Sequence, residues 1–537
     1  MEWQATARTS ALFGSTLLLA VICAVAGGPR VAGLLWASFT VALPAALLAL
    51  LVGAPVAVLL GKTDAPGGRA ALLFWGAALL LPLHAVAGGW LAAFGYRGWI
   101  TALAPGGGVA HAWLDGWLGA VLVHAAAGAP WVVVLGVASL RAVDRTLEEQ
   151  ALLNGSGAAV LRRVSLVEAW PGFLAAGLWV GVIAATEMAV TDLFQVRTFA
   201  EEVYTQAALG SFDGGLTGGA FGLLAGVAAF ACIGWFAFSI LAGRVRAAFE
   251  TDGRLSWRLP LNKRSLAVAL HAVPLLLIVG TPVISLAIQA GARLEGDEWG
   301  WSAVKLIEEV VLAPWRHRRE LGVSFGLGVV VATSCVVLGA LIAWRLRRPR
   351  WRWLMLGGLA VVLATPGPLW GLGAIRLLNQ PLDSPFAWLG ELYGTWFVPW
   401  LVQTVRITPY LALWLWPAVA STPESVLWAA RVDGARPWRR ALRVVAPMQW
   451  AALAAAWLAA LALSLGELSA TALVVPPGAP PLSVRLLSLL HYGVEDRVAG
   501  ICLMLFLGQA FVVGAILALL RCAAAPAVER RGGEAVE

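Results

Sequence analysis

The chain has 537 residues, of which 60% are hydrophobic and 13% charged, with a mean hydropathy of +0.81, whereas a soluble domain carries about 25% charged residues. A water-soluble enzyme is excluded. The 38 Lys+Arg against 30 Asp+Glu leave a net charge of +8, but the charges fall in short clusters between long apolar runs, so they are read against a bilayer and not against nucleic acid.

Runs long enough to cross a bilayer, about 20 residues each, lie near 11–27, 34–60, 70–94, 117–140, 171–193, 216–241, 265–289, 321–344, 353–374, 396–420, 449–474 and 498–520. They predict an all-α polytopic membrane protein of about twelve transmembrane helices. The run 11–27 is read as a retained anchor, because Gly27, Gly28 and Pro29 close it without a convincing small-residue cleavage site. With the N-terminus inside, basic residues gather in the cytoplasmic segments, as in Arg141, Arg145, Arg162 and Arg163, in Arg345 to Arg352, and in Arg431 to Arg443. Both termini are then cytoplasmic. The stretch 290–320 mixes Arg316, Arg318 and Arg319 with Glu295, Asp297, Glu298, Glu308 and Glu309. It is expected to be a folded external loop, either an interfacial helix with Trp299 and Trp301 at the headgroups or a solvated linker. The five cysteines are scattered without a CxxC, and histidines 84, 111, 124, 271, 317 and 491 lack metal-ligand spacing, so no metal site is predicted.

The two halves resemble each other. Ser38-Phe39, Gly53 and Ala57 recur as Ser324-Phe325, Gly339 and Ala343 at an offset of 286, and Pro82 recurs as Pro366 at 284. Pro130 and Gly155 recur as Pro409 and Gly434 at 279, while Glu187 and Thr191 recur as Glu467 and Thr471 at 280. The collinear order implies a first repeat over 1–241, a cytoplasmic linker over 242–263 and a second repeat over 264–537. An even number of spans in each unit makes the repeats parallel, two six-helix units related by an axis along the membrane normal.

The fourth and fifth spans of each half are joined by a long basic segment, within 141–170 and 421–449. Each holds a helical stretch, a glycine, a short stretch with paired arginines and re-entry into the bilayer. Gly155 and Gly434 would permit a tight turn or the close approach of a partner backbone. The arginines sit at the headgroups or face an acidic partner. The first segment contains Glu149, Gln150, Ala151 and Gly155 and ends Val164-Ser165-Leu166-Val167. The second contains Trp428, Ala429, Ala430, Asp433 and Gly434 and ends Val444-Val445-Ala446-Pro447.

In these residues the chain resembles the permease subunits of binding-protein-dependent ABC importers, whose signature loop reads Glu-Ala-Ala, three residues, Gly, and a later hydrophobic-x-Leu-Pro ending. The first copy lacks the final proline and the second has tryptophan in place of the glutamate. The resemblance implies a type I importer fold, with Glu149, Ala151, Gly155, Ala430, Asp433 and Gly434 coupling to two copies of a separate ATPase subunit that carries ATP and Mg. It also implies a periplasmic or extracellular solute-binding protein and a place in the bacterial plasma (inner) membrane. The alternative for the two segments is a pair of interfacial helices held by snorkelling arginines. Gly61-Lys62-Thr63 looks like the end of a phosphate loop, but position 56 is Val56 and no strand precedes it. It is read as a cytoplasmic turn with a snorkelling lysine, and this chain as a transport subunit without ATPase activity or a cofactor of its own.

Glu187 and Glu467 lie in apolar runs, where an ionisable group costs at least ~2.5 kcal/mol and usually faces a cavity or a partner. With Thr191, Ser469 and Thr471 they are candidate translocation-path residues, a facing acidic pair suited to a cation. Equally, each glutamate would satisfy helix ends at the interface between halves or form part of a gate. The stretch 466–493 resembles that of fused ferric-iron permeases, with thiamine permeases sharing the fused architecture and sulfate and polyamine permeases the general loop. Ferric iron is therefore the expected solute, and thiamine, sulfate or polyamine the alternatives. A secondary transporter of the major-facilitator type is the rival class, and a membrane-embedded enzyme ranks lowest, for want of a nucleophile-base constellation.

Overall fold

The computed structural model describes residues 28–95, 98–103, 114–210, 225–229, 257–261, 264–295, 298–381, 383–478 and 480–533. The expected span 11–27, nearly all of 216–241, most of the linker 242–263, and His111 lie outside the described residues. Six described helices are long and apolar enough to cross a membrane: α1 (Gly28–Lys62), α4 (Gly116–Arg141), α6 (Gly157–Thr186), α9 (Arg264–Gly291), α11 (Arg318–Leu346) and α19, from Asp496 through Leu520. Three bent helix pairs would raise the number to nine. The protein is a multi-pass, all-α membrane protein.

Between these run α2 (Gly68–Ala78), α3 (Leu83–Phe94), α5 (Arg145–Leu152), α7 (Ala189–Leu193) and α8 (Phe199–Ala208). In the second part follow α10 (Ala303–Arg316), α12 (Pro349–Ala364), α13 (Gly367–Leu378), α14 (Phe397–Ala420), α15 (Glu424–Val432), α16 (Pro437–Met448), α17 (Trp450–Gly466) and α18 (Leu482–Leu490).

Four runs expected to be continuous are broken. The run 70–94 splits into α2 and α3 at Pro82, and 353–374 splits into α12 and α13 at Pro366 with a bend of 97°. Proline offers no N–H and drives the residue before it out of the helical region, so each chain turns there and a new helix starts one residue later. The runs 171–193 and 449–474 end early, at Thr186 and Gly466, where the following glutamates adopt extended backbone.

Contacts of the first part recur in the second. Ser38 Oγ accepts the Phe199 N–H at 2.9 Å, and Ser324 Oγ accepts the Leu482 N–H at 2.8 Å. Gly53 lets α1 close on α4, where an added Cβ would stand 2.7 Å from Val132 Cβ. Gly339 does the same for α11 and α14, with 2.9 Å to Leu411 Cβ. The parts also interlock: Ala85, Val86 and Ala92 of α3 share a core with Leu286 and Ala290 of α9, Leu482 and Leu486 of α18, and Cys502 and Phe506 of α19.

The stretch 290–320 folds instead of forming a solvated linker. An antiparallel hairpin pairs Ala292–Glu295 with Glu298–Trp301, and α10 follows. Val304, Ile307, Val311 and Trp315 of α10 form one exposed apolar stripe, while Glu309 and Ala313 are buried, an amphipathic pattern suited to a membrane interface. Lys305 Nζ ties the helix to Asp496 Oδ2 of α19 at 2.7 Å.

Candidate functional site

The two helix breaks at the glutamates build the polar centre of the molecule. After α6 stops, Glu187 keeps its N–H on Ile183 O at 3.0 Å. Its carboxylate turns forward, Oε1 accepting the Ala189 N–H at 2.8 Å and Oε2 the Val190 N–H at 2.9 Å. Glu467 repeats this after α17, with Oε1 accepting the Ala470 N–H at 2.8 Å. A carboxylate in this position satisfies amide donors that the break leaves without a helical partner, and its negative charge suits the start of the next turn. The same placement keeps the backbone from continuing as helix.

Ser469 Oγ donates to Glu187 Oε1 at 3.3 Å, so the break of one part is hydrogen-bonded to the break of the other. His124 Nε2 stands 3.9 Å from Glu187 Oε2, while its Nδ1 lies 2.8 Å from Ala120 O. Arg406 Nε stands 3.7 Å from Glu467 Oε1, and Arg406 Nη1 is buried without a hydrogen-bond partner. The glutamates are thus not a bare acidic pair, because one of them faces a guanidinium. Thr191 and Thr471 are fully buried. Thr191 Oγ1 donates to Met188 O at 3.0 Å, and Thr471 Oγ1 accepts from Gln403 Nε2 at 2.9 Å, whose Oε1 in turn accepts from Ser464 Oγ at 2.5 Å. Beside this centre an edge-to-face aromatic chain runs from Trp131 to Trp179 at 5.7 Å and from Trp179 to Tyr410 at 6.0 Å, joining α4 and α6 to α14.

Gln403, Arg406 and Tyr410 escaped the sequence reading, which weighed His124 only as a metal ligand. The repeat could have found two of them, since His124 and Trp131 recur at an offset of 279 as Gln403 and Tyr410. Arg406 is the one charged residue of the run 396–420, and an intramembrane charge is itself a functional signal.

The basic segments form a second pair of related structures. In the first, Asp144 caps α5 through the Thr146 N–H at 2.8 Å, and that bond holds its carboxyl below the usual carboxylate range. In the second, α15 is capped by Pro423 without a side-chain bond. Each segment then re-enters through a π-helical turn, Leu161–Ser165 and Ala441–Val445. Glu149 is exposed and paired with Arg145 at 2.5 Å, Ala151 and Ala430 are half-buried, and Gly155, Asp433 and Gly434 are exposed. Gly434 has φ +75° and needs glycine for its turn. Gly155 has no such backbone, and a Cβ there would meet nothing closer than Ala151 O at 3.5 Å. Leu153 and Val432, just before these glycines, are 84% and 85% exposed, apolar tips that the described residues leave uncovered. The Arg431 guanidinium stacks 5.0 Å above the exposed Trp428 ring, so the tryptophan of the second copy carries a cation where the first copy carries Glu149.

Lys62 does not snorkel. It is fully buried, with Nζ 2.5 Å from Glu148 Oε1, because a carboxylate within reach satisfies the ammonium without water. No cluster of three or more His, Cys, Asp or Glu that could hold a metal occurs among the described residues.

No family model matches the chain. Over 200 residues it is 28% identical to the putrescine transport system permease protein PotI of Escherichia coli, covering 36% of this chain and 69% of that protein. Over 232 residues it is 22% identical to the spermidine/putrescine transport system permease protein PotC of the same species, covering 42% and 82%. The chain is a relative of transport permeases. It is also 29% identical over 143 residues to the trehalose transport system permease protein SugA of Mycobacterium tuberculosis, covering 24% of this chain and 44% of that one. These permeases support a non-enzymatic membrane transport subunit.

Proposed function

We propose that the chain is the membrane-spanning permease of an ABC importer, two parallel six-helix repeats fused in one polypeptide, with both termini on the cytoplasmic side of a bacterial plasma membrane. The observation that carries this reading is the pair of segments 141–170 and 421–449, alike in helix, exposed apolar tip, glycine and π-helical re-entry, in a chain related to transport permeases. The PotC match supports the fusion, since it covers 82% of that protein and only 42% of this one, making PotC about half as long. Two copies of an ATPase subunit, holding ATP and Mg, dock one on each segment. Glu149, Ala151, Gly155, Ala430, Asp433 and Gly434 lie at those contacts, and Leu153 and Val432 fill apolar depressions in the partner. An external binding protein delivers the solute.

The solute is a polyamine-like organic cation in preference to ferric iron. Two of the named relatives are polyamine permeases, whereas iron rests on the likeness of 466–493 and, loosely, on the paired carboxylates. Glu187, Thr191, Glu467, Ser469 and Thr471 flank the path, and the Ser469–Glu187 bond between the parts is the contact that opens when the repeats rock apart. Proteoliposomes holding this chain with its ATPase and binding protein should take up putrescine or spermidine only with ATP, against a panel of ferric iron, thiamine, sulfate and trehalose. Uptake driven by a proton gradient without any ATPase would replace this reading with a secondary transporter. Uptake of ferric iron alone would keep the class and overturn the solute. Glu187→Gln with Glu467→Gln should lower uptake and alter its pH dependence, and unchanged uptake would remove both from the path.

A further inference from the structure

The two ATPase-facing segments are anchored differently. In the first, Lys62 at the end of α1 and Glu148 on α5 are both fully buried and paired at 2.5 Å. Ser165, at the end of the π-helical turn, donates to the same Glu148 oxygen at 2.5 Å, so one carboxylate joins α1, α5 and α6. A strand-like piece of the linker then straps this node. Leu259 N–H donates to Lys62 O at 2.8 Å, Asp64 N–H to Leu259 O at 3.4 Å, and Leu261 N–H to Asp64 Oδ1 at 2.8 Å. The strap presses on the segment itself: a Cβ at Gly157 would stand 2.6 Å from Leu259 Cδ1 and 3.0 Å from Trp257 Cζ2.

The second segment is held by a node of another kind: Arg347, at the end of α11, donates to Val419 O at 3.2 Å, to Thr422 O at 3.4 Å and to Glu424 Oε1, with no buried carboxylate at its centre. The repeat places Leu427 where Glu148 stands and Arg436 where Gly157 stands, each at an offset of 279. Its ion pair is Arg347 with Glu424 at 2.8 Å, and the Glu424 side chain is 74% exposed, open to solvent screening. A pair buried on both sides resists separation because parting it strands a charge away from water, whereas the Arg347–Glu424 pair, buried only at the guanidinium, parts at lower cost because its carboxylate is already solvated.

We propose that Lys62, Glu148 and the strap 257–261 are positioning elements that fix the first coupling helix rigidly to α1, so that the two ATPase-facing helices are mechanically unequal, the first a stiff relay and the second a compliant one. This rests on the ABC-permease reading. The test has two readouts. In the purified full chain in lipid nanodiscs, backbone amides of 145–152 should exchange with deuterium about tenfold more slowly than those of 424–432. Lys62→Met should erase that difference, and Arg347→Met should leave 145–152 unchanged. In proteoliposomes with the ATPase, Lys62→Met should raise the ATP hydrolysed per solute by about tenfold or more, against less than about twofold for Arg347→Met. Ser165→Ala and Leu259→Ala, which keep the ion pair, serve if Lys62→Met does not assemble, and each should raise exchange at 145–152 by a smaller factor. Equal exchange in the two helices of the wild type, or equal coupling losses for Lys62→Met and Arg347→Met, would overturn the proposal. Absence of any ATP-driven uptake by the wild type, with the exchange asymmetry intact, would count against the ABC reading and not against the anchoring.

Discussion

Arg406 and Glu467 are the sharpest quantitative target in the polar centre. Unit charges 3.7 Å apart attract by about 4 kcal/mol at an effective dielectric constant of about 20. The desolvation of both groups offsets much of this. The Glu467 side chain is 8% exposed and that of Arg406 21%, so solvent screening removes little more. Glu467→Gln keeps an oxygen for the Ala470 N–H but leaves a guanidinium whose Nη1 already lacks a partner. It should cost about 2–4 kcal/mol, as removal of one member of a buried pair does. Arg406→Met leaves Glu467 with its backbone donor and should cost about 1–3 kcal/mol. In the double variant neither charge is stranded, and the loss should fall short of the sum by about 1–3 kcal/mol. Denaturant titration of the purified chain in detergent checks this, followed by the fluorescence of its 28 tryptophans. Losses that add within ~0.5 kcal/mol would refute the pairing. Uptake measured on the same four proteins separates fold from transport: a double variant restored in stability but still inactive places the Arg406–Glu467 pair on the solute's route.

Three further outcomes are expected. Gly434→Ala should cost about 1–2 kcal/mol because its φ of +75° is left-handed, while Gly155→Ala should leave stability within ~0.5 kcal/mol and still weaken ATPase docking, which a pull-down of the partner subunit reads directly. Gly53→Ala and Gly339→Ala should each cost about 1–3 kcal/mol by forcing α1 from α4 and α11 from α14, and unfolding midpoints within error of wild type would show the crossings to be looser than described. His491 Nε2 lies 3.2 Å from Asp192 Oδ2, and chiefly that hydrogen bond raises the imidazole pKa above its usual value, against partial burial that lowers it. The contact therefore stabilises fully below the ordinary imidazole pKa and is lost as pH rises through the raised one. The imidazole is 43% exposed, so the effect is modest and salt-sensitive, and Asp192→Asn should flatten the pH dependence of the unfolding midpoint between about pH 6 and 8.

What the sequence could and could not reveal follows from the range of each interaction. Apolar runs are local, so the helices at 34–60, 117–140, 265–289, 321–344 and 498–520 were readable as such. The breaks at Glu187 and Glu467 were not, because a window long enough to detect a span averages over one glutamate and extends the helix through it. Pro82 and Pro366 were visible as matched positions, yet their role as turning points depends on what the helices do on either side. Lys62 shows the cost of reading one residue without its partner. Glu148 lies 86 residues away, and the signature drew attention to Glu149, about 100° further round α5 and facing water. Arg406 falls to the same reasoning that singled out the glutamates, applied to the opposite sign of charge. The usable long-range signal was the repeat. Ser38 and Ser324 hold Phe199 and Leu482 by the same bond, so a matched offset predicts a matched contact even where no single residue predicts its partner. Where the offset returns unlike residues, Glu148 against Leu427 or Gly157 against Arg436, the contacts differ as well, a carboxylate buried against Lys62 in the first segment and one open to solvent beside Arg347 in the second.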